Sequence, residues 1–504
     1  MNAALAVHEI DHFRAIVTRW LGLLFDETKV GFLADVLRRR LEETRQSSSA
    51  YLTWLETSGN ADELTLLAQE LTVAETYFFR HREQYQAFAE VALPDCLLAM
   101  PPGGGVRIVS AGCASGEEPY SLAMIVRNTV SDPLTSVSIV GVDINPLLLD
   151  KAKRGRFSPW VLRETDPDVQ RQWFRHDGRE FLLDEGVRSS VKFEVCNLAD
   201  DRAELWQPET IDIVFCRNVL MYFAQDVAQA VVNRLTRALR PGGYLFLGHA
   251  ETLRGLSTDF HLRHTHGTFY YQRRDRPDRG ARAAAVPFSV AGSRPVPLAD
   301  LVERSDTWVE TIGRSTQRIE ALASAPGHSG SVRERLADSV KRSWEVGLAL
   351  ELLRQERFGD ALELVDRFPP ESARDPEVLL LRAVLLTHSG QLANAERACE
   401  RLLAIDELNA GAHYVLALCR EGVGDSAGAI SHDQVAVYLD PSFAMAHLHL
   451  GLLARRVNDR VTAARELEQA IVLLQREEAS RLLLFGGGFS RDALMALCRA
   501  ELGR

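Results

Sequence analysis

The sequence has few cysteines and no cysteine pair with the spacing of a zinc site. Its seven cysteines are dispersed over 504 residues without a single Cys-x-x-Cys motif. An odd, scattered set in a long chain is typical of buried thiols in a reducing compartment and argues against a disulfide or zinc scaffold. We therefore expect a cytoplasmic protein with no metal site.

Long hydrophobic runs and an excess of positive charge are also missing. No apolar stretch approaches the ~20 residues that span a bilayer, and the N-terminal MNAALAVHEIDHFR is unlike a signal peptide because it has no basic region before a long apolar core. The formal net charge is −11, whereas nucleic-acid-binding proteins usually carry a basic face. We expect neither membrane insertion nor a nucleic-acid partner.

Hydrophobic periodicity divides the first part of this long chain into two domains. Residues 1–95 have helical periodicity and predict a helical domain, in which Arg38, Arg39 and Arg40 are expected on a solvated face. From 96 to 274, short apolar runs alternate with helical stretches, which predicts a doubly wound, mainly parallel α/β sheet. The predicted strands are 106–110, 137–142, 191–196, 211–216 and 244–248, followed by a hairpin at 259–273. Residues 155–190 break the alternation and predict an inserted small β-subdomain with a short helix.

The last third of the chain contains a repeat. Residues 275–340 are rich in Arg, Ala, Pro, Gly and Ser and predict a linker, with a short amphipathic helix around 300–322. Beyond it, buried-type residues recur every 34 positions, the period of tetratricopeptide helix pairs. The three recurring sets are Ala361, Ala395, Ala429, Ala463; Ala349, Ala383, Ala417, Gly451; and Phe368, Leu402, Ala436, Ala470. They predict four repeats over 341–475, a capping helix at 476–504, and a surface that binds a protein segment.

The turn after the first predicted strand, SAGCASGEEPYS, combines small residues with two adjacent carboxylates. Its position, with Gly112 at the carboxyl end of a buried strand, is where open α/β sheets bind ligands. The string lacks the spacing of a dinucleotide-binding GxGxxG motif, and Glu117 and Glu118 would repel a diphosphate. A cationic nucleoside without phosphate fits better, and S-adenosylmethionine (SAM) is such a molecule.

Polar residues also follow the next three strands. Asp143 can accept the ribose hydroxyls, Asn197 can bind the adenine edge, and the fourth strand runs into Arg217, Asn218 and Tyr222. Each has an ordinary alternative, such as helix capping for Asp and Asn. Because parallel strands end at one edge of a sheet, their convergence favours a single ligand site.

Six motifs stand in a fixed order along the first half of the chain. They are LTVAETYFFR (71–80), SAGCASGEEPYSLAM (110–124), GVDINP (141–146), CNL (196–198), FCRNVLMYF (215–223) and LRPGGYLFLGHAETL (239–253). In this order they resemble the CheR-type chemoreceptor glutamate methyltransferases. The resemblance implies a helical N-terminal domain, a SAM-dependent methyltransferase domain with an inserted β-subdomain and, as in some members, a fused tetratricopeptide tail.

The resemblance also implies site residues. The expected cofactor contacts are Thr76, Arg80, Gly112, Glu117, Glu118, Asp143, Asn197, Leu198, Arg217 and Asn218. One of the two glutamates would meet the methionine ammonium, and Asn197 and Leu198 would flank the adenine. Arg80 and Tyr222 match the family residues nearest the methyl group and are the predicted catalytic pair.

Two positions depart from the family pattern. Ala74 stands where the family often has Asn, so one cofactor hydrogen bond would be missing or replaced, altering affinity without abolishing binding. Family members that dock on a receptor pentapeptide have extra glycines in a β-subdomain loop, whereas FLLDEGVRSSVKF has only Gly186. We therefore expect no pentapeptide tether and assign partner binding to the repeat tail.

The expected function is methyl transfer from SAM to glutamate side chains on the cytoplasmic helices of a chemoreceptor. An ionised carboxylate needs no general base, so His249 is expected to be structural. A signalling scaffold with an inactive, SAM-binding methyltransferase fold is the main alternative. Methylation of a small molecule or of RNA is a third.

Overall fold

The computed structural model describes residues 5–58, 61–72, 75–101, 103–130, 136–200, 204–274, 346–355, 357–368 and 374–503. The chain divides into two compact units, the first ending at Phe288 and the second beginning at Ser289. The predicted linker at 275–340, the helix around 300–322 and the departure at Ala74 lie outside the described residues.

The first unit begins with four helices that share one apolar core. They are α1 (Val7–Leu21), α2 (Val30–Thr44), α3 (Ser48–Ser58) and α4 (Ala61–Leu71). The expected solvated face of α2 is wrong for Arg40, which is buried and forms a two-point ion pair with the Glu63 carboxylate at 2.7 and 2.8 Å. The Tyr51 hydroxyl donates to the same carboxylate. A buried charge is stable only when it is paired in this way.

A longer helix, α5, is formed by the consecutive segments Arg82–Ala87, Phe88–Ala92 and Leu93–Ala99. It crosses the boundary we predicted between residues 95 and 96. Its buried residues, including Phe88 and Leu93, pack in the same core as strand residue Ile108. The helix therefore belongs with the α/β sheet rather than with α1 to α4.

Seven strands form one sheet in the order β6-β2-β1-β7-β8-β10-β9. They are β1 (Gly105–Ala111), β2 (Ser136–Asp143), β6 (Val191–Val195), β7 (Ile211–Cys216), β8 (Leu239–Leu247), β9 (Phe260–Thr265) and β10 (Thr268–Arg273). The first five are parallel, and β10 pairs antiparallel with β8 and β9. This confirms the predicted fold class, although β8 begins earlier than expected, at Leu239.

The helices that flank the sheet are α6 (Glu117–Thr129), α7 (Pro146–Arg154) and α10 (Gln225–Ala238). From β1 the chain proceeds outwards through β2 to β6 and then returns to the other side of β1 with β7. The carboxyl ends of β1 and β7 thus meet at the point where the strand order reverses, which is where such sheets bind ligands.

The insert between α7 and β6 contains its own three-stranded sheet. It consists of β3 (Arg156–Phe157), β4 (Phe174–Asp177) and β5 (Glu180–Leu183), with helices α8 (Pro167–Trp173) and α9 (Glu185–Ser189). The stretch FLLDEGVRSSVKF, which we interpreted as a loop, is instead the end of β5, helix α9 and the start of β6. Asp184 caps that helix by accepting the Val187 N–H. The β4–β5 turn lies earlier, at Gly178 and Arg179.

The second unit is built from helix pairs. Its described helices are α11 (346–354), α12 (Phe358–Asp366), α13 (Pro376–His388), α14 (Leu392–Leu403), α15 (Ala410–Gly422), α16 (Ser426–Leu439), α17 (Ala444–Arg456), α18 (Arg460–Leu474), α19 (Ala479–Phe485) and α20 (Arg491–Leu502). The recurring alanines are all buried, because small side chains let paired helices approach closely. Two helices, α19 and α20, occupy the stretch where we expected one capping helix, since Gly486 to Gly488 interrupt it.

Helix α19 packs against the first helices of the repeats. The Phe485 ring lies 4.9 Å from the Phe443 ring and 5.7 Å from that of Tyr414. The Tyr414 hydroxyl donates to the Phe485 carbonyl at 3.3 Å. Part of the apolar face formed by α13, α15 and α17 is therefore covered by the chain itself.

Close packing within the last repeat generates a prediction about Gly451. A Cβ at this position would lie 2.8 Å from Leu467 Cγ, so Gly451→Ala should destabilise α17 and α18 by about 1–3 kcal/mol. Gly359→Ala in α12 is the matched control, because nothing lies within 4 Å of its Cβ and the helix should gain ~0.5–1 kcal/mol. Hydrogen exchange of full-length protein measures both. Unchanged protection of α17 in Gly451→Ala would contradict the packing.

Candidate functional site

A cleft with two lobes lies at the carboxyl ends of β1 and β7. One lobe is lined mainly by apolar residues and is called the apolar lobe. The other is lined mainly by charged and polar residues and is called the polar lobe. Gly112, Ala114, Asn218 and Tyr222 line both lobes. One elongated ligand with an apolar and a charged end therefore fits the cleft.

The turn after β1 forms the floor of this cleft. The N–H groups of Gly112 and Cys113 both donate to the Val142 carbonyl, at 2.8 and 3.0 Å, which ties the turn to β2. Gly112 has a φ of +73°, and a Cβ there would lie 2.4 Å from Val219 Cγ2. A glycine is required at this position on both conformational and steric grounds.

Asp143, at the end of β2, lines the apolar lobe. Its two carboxylate oxygens accept the backbone N–H groups of Ala114 and Asn145, each at 2.9 Å. Burial raises the pKa of Asp143, and these N–H groups oppose that rise. Each oxygen can accept a further hydrogen bond, so the carboxylate is oriented for a pair of hydroxyl donors.

The two adjacent glutamates at the start of α6 have different positions. Glu117 is fully buried, accepts the Ser115 hydroxyl at 2.8 and 2.9 Å, and is not among the residues that line the cleft. Glu118 lines the polar lobe, where it accepts the Ser110 hydroxyl at 2.7 Å and lies 3.2 Å from Arg217 Nη1. Burial raises the pKa of Glu118, and the Arg217 charge opposes the rise. The structure therefore does not bring Glu117 into the site.

Arg80 and Arg217 face the polar lobe together. Arg217 Nη2 donates to the Arg80 carbonyl, and Arg80 Nη1 donates to the Glu75 carbonyl at 2.9 Å. The Nε atoms of both arginines are buried without a hydrogen-bond partner among the described residues. Buried donors are normally satisfied, and since both side chains line the polar lobe, a bound ligand could supply an acceptor for them.

The backbone around Arg80 is strained. Phe79 and His81 have φ values of +56° and +61°, which cost ~1–3 kcal/mol each for residues other than glycine. Strain of this kind persists only where the surroundings hold it, and it turns the Arg80 carbonyl towards Arg217. The arginine is thereby held at the edge of the cleft.

The remaining predicted residues also lie in the cleft. Thr76 lines the polar lobe, Asn197 and Leu198 line the apolar lobe, and Asn218 and Tyr222 lie between them. Asn197 has a structural use as well, because its Nδ2 donates to the Trp20 carbonyl at 3.0 Å and its Oδ1 accepts the Ala199 N–H at 2.9 Å. Of the predicted site residues, only Glu117 is outside the cleft.

Sequence reasoning missed the contribution of the N-terminal helices. The segment after α1 closes the apolar lobe with Leu23, Leu24 and Phe25. It is held there by a hydrogen bond of 2.8 Å from the Leu24 N–H to the Tyr222 carbonyl. No motif marks this segment, and its only signal is the apolar string LGLLF.

Sequence reasoning also missed Glu251, although it lies in the last quoted motif. Its carboxylate accepts the N–H groups of Asn218 (2.6 Å), Val219 (2.9 Å), Met221 (3.3 Å) and Gly248 (2.7 Å). Asn218 has a φ of +58°, and Glu251 holds this turn in place. The carboxylate touches the backbone of the cleft without lining it, and we call it a positioning residue.

Comparisons with known proteins agree with a SAM-binding domain in the first unit. Residues 74–269 match the family model described as "CheR methyltransferase, SAM binding domain". The chain is 35% identical over 265 residues to "Chemotaxis protein methyltransferase 2" of Vibrio cholerae, a match that covers 52% of this chain and 91% of the relative. It is 28% identical over 471 residues to "Probable biofilm formation methyltransferase WspC" of Pseudomonas aeruginosa, covering 91% of this chain and 97% of the relative.

Solved structures add little to these matches. A thermophilic TPR protein of Thermus thermophilus is 24% identical to this chain, with a TM-score of 0.25. The match covers 31% of this chain and 88% of that protein. That score is too low to bear on fold or function.

The residues of the cleft fit SAM, and the family match confirms it as the predicted cofactor. The carboxylates of Glu118 and Asp143 suit an ammonium group and ribose hydroxyls, and they disfavour a diphosphate. Among the described residues, no group of three or more His, Cys, Asp or Glu could hold a metal ion. None of the described helices is long and apolar enough to cross a membrane.

Loss of the Glu251 carboxylate should disrupt the cleft. Glu251→Ala leaves buried N–H groups without an acceptor, at ~1–3 kcal/mol each, and we expect SAM affinity to fall at least ~10-fold, or ~1.4 kcal/mol. Glu251→Gln keeps one acceptor oxygen and should be intermediate. Calorimetric titration with SAM measures this, with the surface change Glu90→Gln as control. Unchanged affinity in Glu251→Ala would show that the turn is held by other contacts.

Acid should weaken SAM binding through Glu118. Because burial raises the pKa of this carboxyl above its ordinary value of 4.5, the group loses its negative charge at a higher pH than an exposed glutamate as the pH falls. We expect SAM affinity to decrease over that range in the wild type and to be weaker but less pH-dependent in Glu118→Gln. The same titration of Asp143→Asn measures how much the Asp143 carboxyl contributes to the pH dependence. Identical profiles for wild type and Glu118→Gln would exclude Glu118 as the titrating contact.

Proposed function

Because the chain belongs to the CheR methyltransferase family, we propose that it methylates glutamate side chains on the cytoplasmic helices of a chemoreceptor, within the cytoplasm. The observation that carries this proposal is the polar lobe of the cleft, which Arg80 and Tyr222 both line. The arginine suits an acceptor that is itself a carboxylate. The products are glutamate methyl esters, which adapt a chemosensory response.

When bound, SAM would supply a methyl group from its sulfonium to an acceptor carboxylate oxygen, with S-adenosylhomocysteine as the leaving group and no proton to be moved. The chain must therefore align the two reactants and exclude water. Alignment can contribute ~7–11 kcal/mol in favourable cases.

We propose that Glu118 binds the methionine ammonium and that Asp143 binds the ribose. Glu118 already lies between the Ser110 hydroxyl and Arg217, so its position is defined before any ligand enters. Asn197 and Leu198 flank the adenine in the apolar lobe. Gly112 allows close approach, and Thr76, Arg217 and Asn218 complete the walls.

We propose Arg80 as the residue that orients the acceptor carboxylate. One of its terminal nitrogens is committed to the Glu75 carbonyl, while its Nε has no partner among the described residues. This favours a single orienting contact over a fully enclosed bidentate pair, which would reduce the nucleophilicity of the carboxylate. Tyr222, which lines both lobes, then orients the acceptor or the cofactor.

No histidine is positioned as a general base in the described cleft. The His249 ring is exposed and stacks on His81, with ring centroids 5.7 Å apart. Burial, reinforced by the charges of Arg217 and other neighbours, lowers the pKa of His81 to about 4. Neither ring lines the described cleft, in keeping with a reaction that transfers no proton.

We propose that the repeat unit binds a protein segment that brings the enzyme to its receptor. The WspC relative, which matches the tail as well as the catalytic unit, is named for biofilm formation, so the receptor need not control swimming. The main alternative is a signalling scaffold whose methyltransferase fold binds SAM without turnover. The intact polar lobe favours the enzyme.

The test is transfer of tritiated methyl from SAM to membranes rich in the host's chemoreceptors. We expect base-labile label on the receptors with the full chain, at least ~100-fold less with Arg80→Ala, and SAM affinity in Arg80→Ala within a few-fold of wild type. His249→Ala is the matched control and should retain activity. The fragment 1–275 shows whether the tail activates or restrains transfer. SAM binding without label on any receptor would favour the scaffold.

A further inference from the structure

We propose that Tyr77, Arg163 and Trp160 form a docking surface for the acceptor protein, which binds a second carboxylate on the segment that presents the methylated glutamate. We call these three residues the aromatic–arginine stack. The inference rests on the proposed function and names the acceptor as an acidic protein segment rather than a small molecule.

The stack is defined by its geometry. The Arg163 guanidinium carbon lies 3.8 Å from the centre of the Tyr77 ring and 4.4 Å from that of Trp160. Arg163 Nη1 also donates to the Trp160 carbonyl at 3.0 Å. A cation that contacts two aromatic rings loses little further freedom when a partner binds, so the surface is preorganised.

The stack continues from the polar lobe of the cleft. Tyr77 lines that lobe, and the Arg80 guanidinium carbon lies 5.6 Å from the centre of its ring. The Phe78 N–H donates to the Val161 carbonyl at 3.0 Å, which joins the cleft segment to the insert that carries Trp160. An acceptor held by Arg80 would therefore meet Arg163 and Trp160 with its neighbouring residues.

Exposure distinguishes this surface from an internal brace. Trp160 is 71% exposed, and Met221, which lines the polar lobe, is 61% exposed. Trp, Tyr and Arg are the residues that contribute most to protein interfaces. The reacting carboxylate alone does not need this apolar area, so the area fits the body of a protein segment.

The positive charge of Arg163 indicates that the segment bound by the stack is acidic. Arg163 is exposed, and no carboxylate forms an ion pair with it among the described residues. The nearby Glu164 carboxylate interacts instead with Tyr77, whose pKa is raised by burial and by that charge. A second carboxylate on the acceptor would therefore meet a guanidinium that has no carboxylate partner among the described residues, and whose remaining N–H groups can donate to it.

The experiment measures methyl transfer by the full chain to receptor-rich membranes, varying receptor and SAM separately. We expect Trp160→Ala and Arg163→Gln each to raise KM for the receptor at least 5-fold, with kcat within 2-fold and KM for SAM unchanged. Arg171→Gln is the matched control, since Arg171 is also an exposed arginine of the same insert, paired with Asp168. It should behave as wild type.

Salt separates the two contributions. In 0.5 M NaCl the difference between wild type and Arg163→Gln should shrink, because screening weakens the exposed charge contact, whereas the effect of Trp160→Ala should persist. Unchanged receptor KM in both variants would overturn the proposal. A parallel loss of kcat and of SAM affinity in the variants would also overturn it, because the stack would then only support the structure of the cleft.

Cosedimentation of the full chain with the same membranes, in the presence of S-adenosylhomocysteine, measures binding without methyl transfer. It therefore distinguishes a failure of the proposed function from a failure of the docking surface. A wild type that binds membranes without methylating them would overturn the methyl-transfer proposal alone, and weaker sedimentation of Trp160→Ala and Arg163→Gln would still support the stack. Because the repeat unit can also hold the enzyme on the membranes, equal sedimentation of wild type and both variants would overturn the stack only together with an unchanged receptor KM. Transfer to a small carboxylic acid, with no effect of either variant, would overturn the acidic protein acceptor.

Discussion

The Glu251 carboxylate accepts four backbone N–H groups, three from the turn after β7 and one from Gly248 after β8. That turn contains Asn218 and Tyr222, which belong to both lobes of the cleft, and Val219, which occupies the space that a side chain at Gly112 would need. Two strand ends are therefore joined through one buried carboxylate. Backbone donors satisfy its oxygens, and the cleft takes its shape from this arrangement.

The charges in the cleft form an ordered series. Glu118 is partnered by Ser110 and Arg217, Arg217 holds the Arg80 carbonyl, and Arg80 extends to the Glu75 carbonyl. Each contact orients the next side chain, and the strained residues on both sides of Arg80 are held by this series. Arginines placed by such contacts can meet an anionic ligand group with little reorganisation.

Parts of the first unit that are distant in sequence complete the cleft. The segment after α1 closes the apolar lobe through Leu24 and Tyr222, and the insert is joined to the cleft segment through Phe78 and Val161. The helices before the sheet thus form a wall of the cofactor cleft, and the insert is connected to the segment that lines its polar lobe. In the second unit, α19 covers part of the apolar face of the repeats, so a segment that binds there has to share or replace this contact.

The sequence by itself determined the fold class, the positions of the main strands along the chain, the 34-residue repeat and a set of candidate site residues, all but one of which line the cleft. These properties are expressed by neighbours in the chain: alternating hydrophobicity, glycines in turns and motifs that follow strand ends. Only the tertiary structure decided that Glu118 and not Glu117 faces the cleft, because packing sets the rotation of α6 against the sheet. It also decided that Arg40 is buried, that Glu251 holds the turn and that Leu24 closes the apolar lobe. Each of these depends on contacts between residues far apart in the chain. The pattern of neighbouring residues in the sequence does not predict such contacts.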